Sequence, residues 1–196
     1  MKNSHKKYLL LAHSLAKKQF GNTFPNPSVG CLIVKNSKII SKAVTGNNGR
    51  PHAEEIAIKK AGNKSFGSTM YVTLEPCYHK SINNSCAKQI VKAGIDKIFI
   101  ASIDPNPKTN GKSIKLFDKQ GIYTNLGITS NLSKEINNYF FKSIQMKRPY
   151  TKVKMAISND QKIAWSDYSS KWISNTKSRI YSHKIRFQSQ AILTTS

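Results

Sequence analysis

Hydrophobic and polar positions along the chain switch between helix-like and strand-like spacing. In residues 5–19, Tyr8, Leu11, Ala12 and Leu15 fall three and four apart, with Lys6, Lys7, Lys17 and Lys18 between them, which predicts an amphipathic helix. The prolines of Phe24-Pro25-Asn26-Pro27 make a loop. The apolar run Val29–Val34 (VGCLIV) predicts a buried strand, and Asn36-Ser37 turns it into a second strand, Lys38–Thr45. Gly46–Gly49 is a loop, and Pro51 suits the first turn of a helix that runs from His52 to about Ala61 and stops at Gly62. Met70–Leu74 reads as a strand ended by Pro76. Ser85 can cap a helix from Cys86 to Gly94. Then come a strand (Lys97–Ile103), the Asp104-Pro105-Asn106-Pro107 loop, a helix (Ser113–Gln120), a strand (Ile122–Leu126) and a helix (Leu132–Met146). The order β-β-α-β-α-β-α-β predicts an α/β domain with helices on the faces of one sheet.

Arg148-Pro149 marks a change. We expect one domain over residues 1–147 and a separate segment over 148–196. In the latter, Tyr150–Ser158 alternates as a strand, residues 176–188 look helical, and Ala191-Ile192-Leu193 begins another strand. A stretch this short cannot bury a sizeable core of its own, so it reads as the opening of a second domain whose remainder is absent.

The charge changes this picture little. Lys and Arg number 32 against 9 Asp and Glu, a net charge of +23. That field invites nucleic acid and would draw in anionic small substrates. Yet only four cations are Arg (Arg50, Arg148, Arg179, Arg186), and Arg is the side chain whose fork matches phosphate and guanine geometry. The charge is also spread along a chain rich in Lys, Asn and Ile, so compositional bias accounts for it and nucleic acid is not the expected partner. The apolar run Tyr8–Ala12 is far too short to span a bilayer, so no membrane partner is expected. Three cysteines cannot build a disulfide framework, which makes a reducing, cytoplasmic setting the default.

The chemistry concentrates in His52-Ala53-Glu54, Pro76-Cys77 and Cys86, which stand at two helix starts and a strand end. An imidazole and two thiolates make a three-ligand tetrahedral site with a vacant fourth corner, the mark of a catalytic zinc. Water there becomes a nucleophile near neutral pH. Glu54, two residues beyond His52, can reach the same cavity and act as proton shuttle. Cys31, inside the apolar strand, is a buried small hydrophobe.

The set follows the pattern of zinc nucleobase deaminases, H-x-E then P-C-x-x-C, except that eight residues separate Cys77 from Cys86. With that spacing, the chain resembles the bifunctional deaminase–reductase family of riboflavin biosynthesis along its whole length. The resemblance rests on Pro25-Asn26-Pro27 with Val29-Gly30-Cys31, Pro51-His52-Ala53-Glu54, Thr73-Leu74-Glu75-Pro76-Cys77 with His79, and Asp104-Pro105-Asn106-Pro107. Lys152–Ser158, Lys171-Trp172-Ile173-Ser174 and Gln190–Thr194 look like the opening of the family's reductase domain.

The resemblance implies a cytidine-deaminase-like α/β/α sandwich with a central five-stranded sheet, followed by an incomplete dihydrofolate-reductase-like segment. It implies Zn2+ on His52, Cys77 and Cys86, with Glu54 as the catalytic proton shuttle. Asn26, His79, Asp104 and Asn106 would face the substrate. The implied reaction is hydrolytic deamination of 2,5-diamino-6-(5-phosphoribosylamino)pyrimidin-4(3H)-one to 5-amino-6-(5-phosphoribosylamino)uracil, a small-molecule substrate. NADPH enters only where the reductase domain is complete. In the reductase part, Ala156 and Trp172 match cofactor-contacting positions, and Ser170 and Arg186 match substrate-contacting ones. A homo-oligomer is compatible with all of this.

The chain departs from the family in three places. Ile82-Asn83-Asn84-Ser85 replaces a basic residue followed by Thr-Pro-Pro that would meet the substrate phosphate, leaving Lys80 as a substitute. Thr45 stands where the family often has histidine, and Gln161 follows Asp160 where glycine is usual. The alternatives are an adenosine or cytidine deaminase acting on RNA, favoured by the shared zinc chemistry and the charge, and a non-catalytic protein with a structural zinc. Glu54 opposes the last, since a closed metal site has no use for a carboxylate that is not a ligand.

Overall fold

The computed structural model describes residues 2–79, 85–171 and 173–194. The chain divides into two compact units that meet between Pro149 and Tyr150. The first opens with helix α1 (Lys2–Gln19) and the hairpin β1 (Gly30–Lys35) and β2 (Lys38–Val44). Helix α2 (Ala53–Ala61), strand β3 (Thr69–Val72), helix α3 (Cys86–Lys92) and strand β4 (Lys97–Ile100) follow. Helix α4 (Lys112–Lys119), strand β5 (Tyr123–Leu126) and helices α5 (Ser130–Ile136) and α6 (Asn138–Met146) complete it.

The five strands form one sheet in the order β2-β1-β3-β4-β5. β1 runs antiparallel to both β2 and β3, whereas β3, β4 and β5 are parallel. Period-two alternation divides the strands' side chains between two cores. Cys31, Ile33, Met70, Val72, Ile98 and Ile100 face one side, where they pack with Ala53, Ala57, Ala87, Ile90 and Phe117 of α2, α3 and α4. Leu32, Val34, Tyr71 and Phe99 face the other, against Leu9 and Ala12 of α1. Apolar side chains on both faces require helices on both, which gives the α/β/α sandwich that the family resemblance implied. Gly30 lets α1 approach the sheet: a Cβ there would lie 2.0 Å from the Ala12 carbonyl oxygen. Ser28 Oγ ties the same contact by donating to Ala16 O at 2.7 Å.

The structure corrects the sequence expectations at several points. The strand expected over Lys97–Ile103 stops at Ile100, because Ser102 O turns to accept from Glu75 N at 2.9 Å. Pro51 precedes the helix, since His52 is its N-cap residue. The helix expected over Leu132–Met146 is two helices broken at Asn137. That asparagine is buried, and its amide both accepts from Ser28 N (2.8 Å) and donates to Ser28 O (2.9 Å). Tertiary hydrogen bonding there overrides helix propensity.

In the second unit, helix α7 (Thr176–Phe187) forms close to its expected position, capped by Asn175 Oδ1, which accepts from Ser178 N at 2.9 Å. The strands expected at Tyr150–Ser158 and from Ala191 join no sheet among the described residues. A strand needs a neighbour for its backbone groups, and no described residue from Tyr150 onward is buried to supply a core. Ala156 is half-buried and Ser170 and Arg186 are exposed; Trp172 lies outside the described residues.

Candidate metal centre and active site

Three local features carry the expected metal donors to one place. His52 has extended backbone and caps α2, which puts its ring at the helix start. Cys86 opens α3 behind Ser85, whose Oγ accepts from Lys88 N at 3.4 Å. Cys77 sits in the loop after β3 and is held across the gap to α3: its carbonyl accepts from Ala87 N (3.1 Å) and its Sγ from Cys86 N (3.3 Å). The His52 nitrogen and the two sulfurs lie within 4.8 Å of one another, and His52 Nδ1 is 3.3 Å from Cys86 Sγ. Among the described residues, this is the one such convergence of His, Cys, Asp and Glu donors.

The donor set fits zinc. Zn–N near 2.0 Å and Zn–S near 2.3 Å at tetrahedral angles put neighbouring ligand atoms about 3.5 Å apart, close to the separation seen. Soft sulfur with imidazole selects zinc over magnesium or manganese. The two thiols also share a proton unequally. A hydrogen bond from Cys86 pulls Cys77 down to about 4 against the opposing effect of burial, with help from His52 and the Cys86 N–H. The same bond, with burial, pushes Cys86 well above its ordinary value. Burial alone would lower His52, but its bond to Cys77 and the nearby negative charges of Glu54 and Cys77 raise it. Metal binding, which needs both sulfurs as thiolates, would expel the shared proton.

Glu54 lies in the first turn of α2, where the helix N-terminus favours a carboxylate. It is buried, and desolvation pushes it up to about 7 even though His52 pulls it back. His52, Glu54 and Cys77 line a cavity of about 120 Å³. Asn26, His79, Asp104 and Asn106, the residues that the family resemblance assigns to substrate, line the same cavity. Asn26 is held by both flanks: its Nδ2 donates to Gly49 O at 2.9 Å, and its own carbonyl accepts from Tyr139 Oη at 2.9 Å. Asp104 Oδ1 accepts from Asn106 N at 2.8 Å, and burial raises its carboxyl to about 6. His79 Nδ1 lies 3.5 Å from Thr109 Oγ1. Lys80 lies outside the described residues. Thr45 lines the cavity but is used by the backbone, its Oγ1 accepting from Val29 N at 3.0 Å.

Sequence reasoning passed over two residues. Glu75 is buried, and its carboxylate accepts from Asp104 N (3.3 Å), Gly111 N (2.9 Å), Ser113 N (3.3 Å) and Ser113 Oγ (2.7 Å). It thereby clamps the loop that presents Asp104 and Asn106. An acid between Leu74 and Pro76 at the end of an apolar strand was the available signal. Arg50 lines the cavity beside these groups, and its position just before Pro51-His52 was the hint.

Comparison with known proteins agrees with this geometry. Residues 2–102 match the cytidine and deoxycytidylate deaminase zinc-binding region. The chain is 41% identical to the riboflavin biosynthesis protein RibD of Aquifex aeolicus over 96% of its own length and 53% of that protein's. It is also 41% identical to the diaminohydroxyphosphoribosylamino-pyrimidine deaminase of Buchnera aphidicola subsp. Schizaphis graminum, over 72% of this chain and 97% of that one. A crystal form of Acinetobacter baumannii RibD superposes with a TM-score of 0.90 at 35% identity, covering 96% of this chain and 53% of the other. The chain thus spans about half the length of the RibD proteins it matches. It belongs to the cytidine and deoxycytidylate deaminase family of zinc enzymes.

Proposed function

We propose that the chain deaminates 2,5-diamino-6-(5-phosphoribosylamino)pyrimidin-4(3H)-one to 5-amino-6-(5-phosphoribosylamino)uracil, the deaminase step of riboflavin biosynthesis. The observation that carries this reading is the buried Glu54 lining the same cavity as His52 and Cys77 of the His52–Cys77–Cys86 cluster. The near full-length match to the Buchnera deaminase supports this substrate over RNA. His52, Cys77 and Cys86 would hold the zinc, which supplies the Lewis acidity that makes water nucleophilic near neutral pH. Water adds to the ring carbon that bears the departing amine. Glu54 takes the proton that water gives up and delivers it to the amine nitrogen, the C–N bond breaks, and ammonia leaves. Asp104 and Asn106 orient the pyrimidine edge, and Asn26 Oδ1, not engaged by Gly49, offers an acceptor to the substrate. The reading places the enzyme in the cytoplasm, where reducing conditions keep both cysteines available as thiolates.

Ammonia release tests this. The zinc-loaded chain should release ammonia from the phosphoribosyl diaminopyrimidine and not from RNA. Glu54→Gln should lower kcat by at least about 10²-fold while keeping its zinc. Release from RNA alone, or loss of zinc in the variant, would overturn the assignment.

A further inference from the structure

The lining of the cavity sets a single guanidinium among several acidic side chains. Glu54, Glu75 and Asp104 put three carboxyl groups into its lining, and Arg50 is the one Lys or Arg among the described lining residues. If the substrate carries a ribose phosphate, as the proposed function requires, that dianion needs a cation to meet it, and Arg50 is the cation that the described lining supplies. Arg50 is exposed and lines the cavity, so its guanidinium is open to a ligand from solvent.

The loop that carries Arg50 is braced. Gly46 N donates to Pro51 O (2.9 Å), and Asn48 N donates to Asn22 O (2.8 Å). Gln19 Nε2 donates to Asn47 Oδ1 at 2.8 Å. Gly49 has φ +79°, and a Cβ there would lie 2.6 Å from Asn26 Cβ, so only glycine lets the Arg50 loop close onto the Asn26 loop. The backbone that precedes His52 thus fixes one guanidinium root beside the metal donors and the pyrimidine-facing residues.

We propose that Arg50 is the phosphate-recognition residue of this deaminase, accepting the role that the basic position replaced by Ile82 leaves open. A guanidinium fork suits a phosphate bidentately and stays charged at every working pH. The proposal deepens the function proposed above and rests on it for the identity of the phosphorylated substrate.

Its test compares the full-length wild type with Arg50→Ala, Arg50→Lys and Lys80→Ala. Each protein is assayed for ammonia release from the phosphoribosyl substrate and from its dephosphorylated ribosyl counterpart, and each metal-free protein is titrated calorimetrically with ribose 5-phosphate. Arg50→Ala should raise KM for the phosphorylated substrate about tenfold to a hundredfold with kcat nearly unchanged. It should leave the dephosphorylated substrate unaffected and lose ribose 5-phosphate binding by a similar factor, with Arg50→Lys intermediate. Equal KM changes for both substrates, unaltered ribose 5-phosphate binding in Arg50→Ala, or a phosphate-specific loss in Lys80→Ala alone would overturn the proposal. A wild type that binds ribose 5-phosphate through Arg50 yet releases no ammonia would instead sink the proposed reaction and leave the anion site standing.

Discussion

Replacing Glu75 by Gln tests whether one buried carboxylate holds the substrate-facing loop. Its two oxygens accept four hydrogen bonds, from Asp104 N, Gly111 N, Ser113 N and Ser113 Oγ. An amide keeps one acceptor oxygen and turns an NH2 toward the other pair of donors. The bond from Ser113 N is lost, Ser113 Oγ can turn to accept from the NH2, and the remaining bonds weaken as the charge goes, about 3–6 kcal/mol in all. The lower end, about 3 kcal/mol, is the fair expectation, because the loop can relax toward water and recover part of the rest. For a domain of this size that corresponds to a fall of about 6–12 °C in Tm.

The catalytic consequence is separable from the thermal one. Asp104 and Asn106 lose their fixed position, whereas His52 and Cys86 stand at the starts of α2 and α3, away from the Asp104, Gly111 and Ser113 groups that Glu75 binds. At a temperature where the variant is fully folded, KM should rise while zinc stoichiometry stays at that of the wild type. Thermal melting by circular dichroism, metal analysis and steady-state ammonia release read the three quantities. A Tm within about 2 °C of wild type together with an unchanged KM would refute the clamp, since a buried donor cannot lose its charged acceptor at no cost.

Two further predictions concern the donor cluster and the opposite face of the sheet. Cys86→Ser should weaken zinc binding by at least the roughly 10- to 100-fold that loss of a ligand's supporting partner costs elsewhere, read by chelator competition; unchanged affinity would remove Cys86 from the donor set. His13 is buried with only Nε2 bonded (2.9 Å from Thr129 Oγ1), and burial lowers it to about 4. The folded state thus resists a proton that the unfolded chain accepts below about 6.5, so stability is full above that pH and declines toward pH 4 by up to about 3 kcal/mol. Urea unfolding of His13→Gln should show that decline missing; identical pH slopes in variant and wild type would disprove the role.

What the sequence made legible was whatever local physics determines alone. The two-faced alternation in VGCLIV, in residues 70–72 and in residues 98–100 needs no knowledge of neighbours, and the sheet with its two helical layers follows from it. The metal donors were legible because their chemistry is rare and each stands at an element end, where backbone turns aim side chains inward. Asn137 was not legible: its break in the helix comes from Ser28, far away in the chain. Nor were the absent strands at Tyr150–Ser158, where alternation states a preference that only a pairing partner can realise. The same division separates the candidate site into two kinds of residue. His52, Cys77, Cys86 and Glu54 advertise their chemistry by type and spacing. Glu75 and Arg50 have ordinary side chains, and only the folded chain shows what each one meets: a loop's four donors for the first, the lining of the cavity for the second. In this chain, then, the donor cluster is legible in residue type and spacing and the reaction in the family likeness, while the clamp on the Asp104 loop and the guanidinium at the cavity are properties of the tertiary fold.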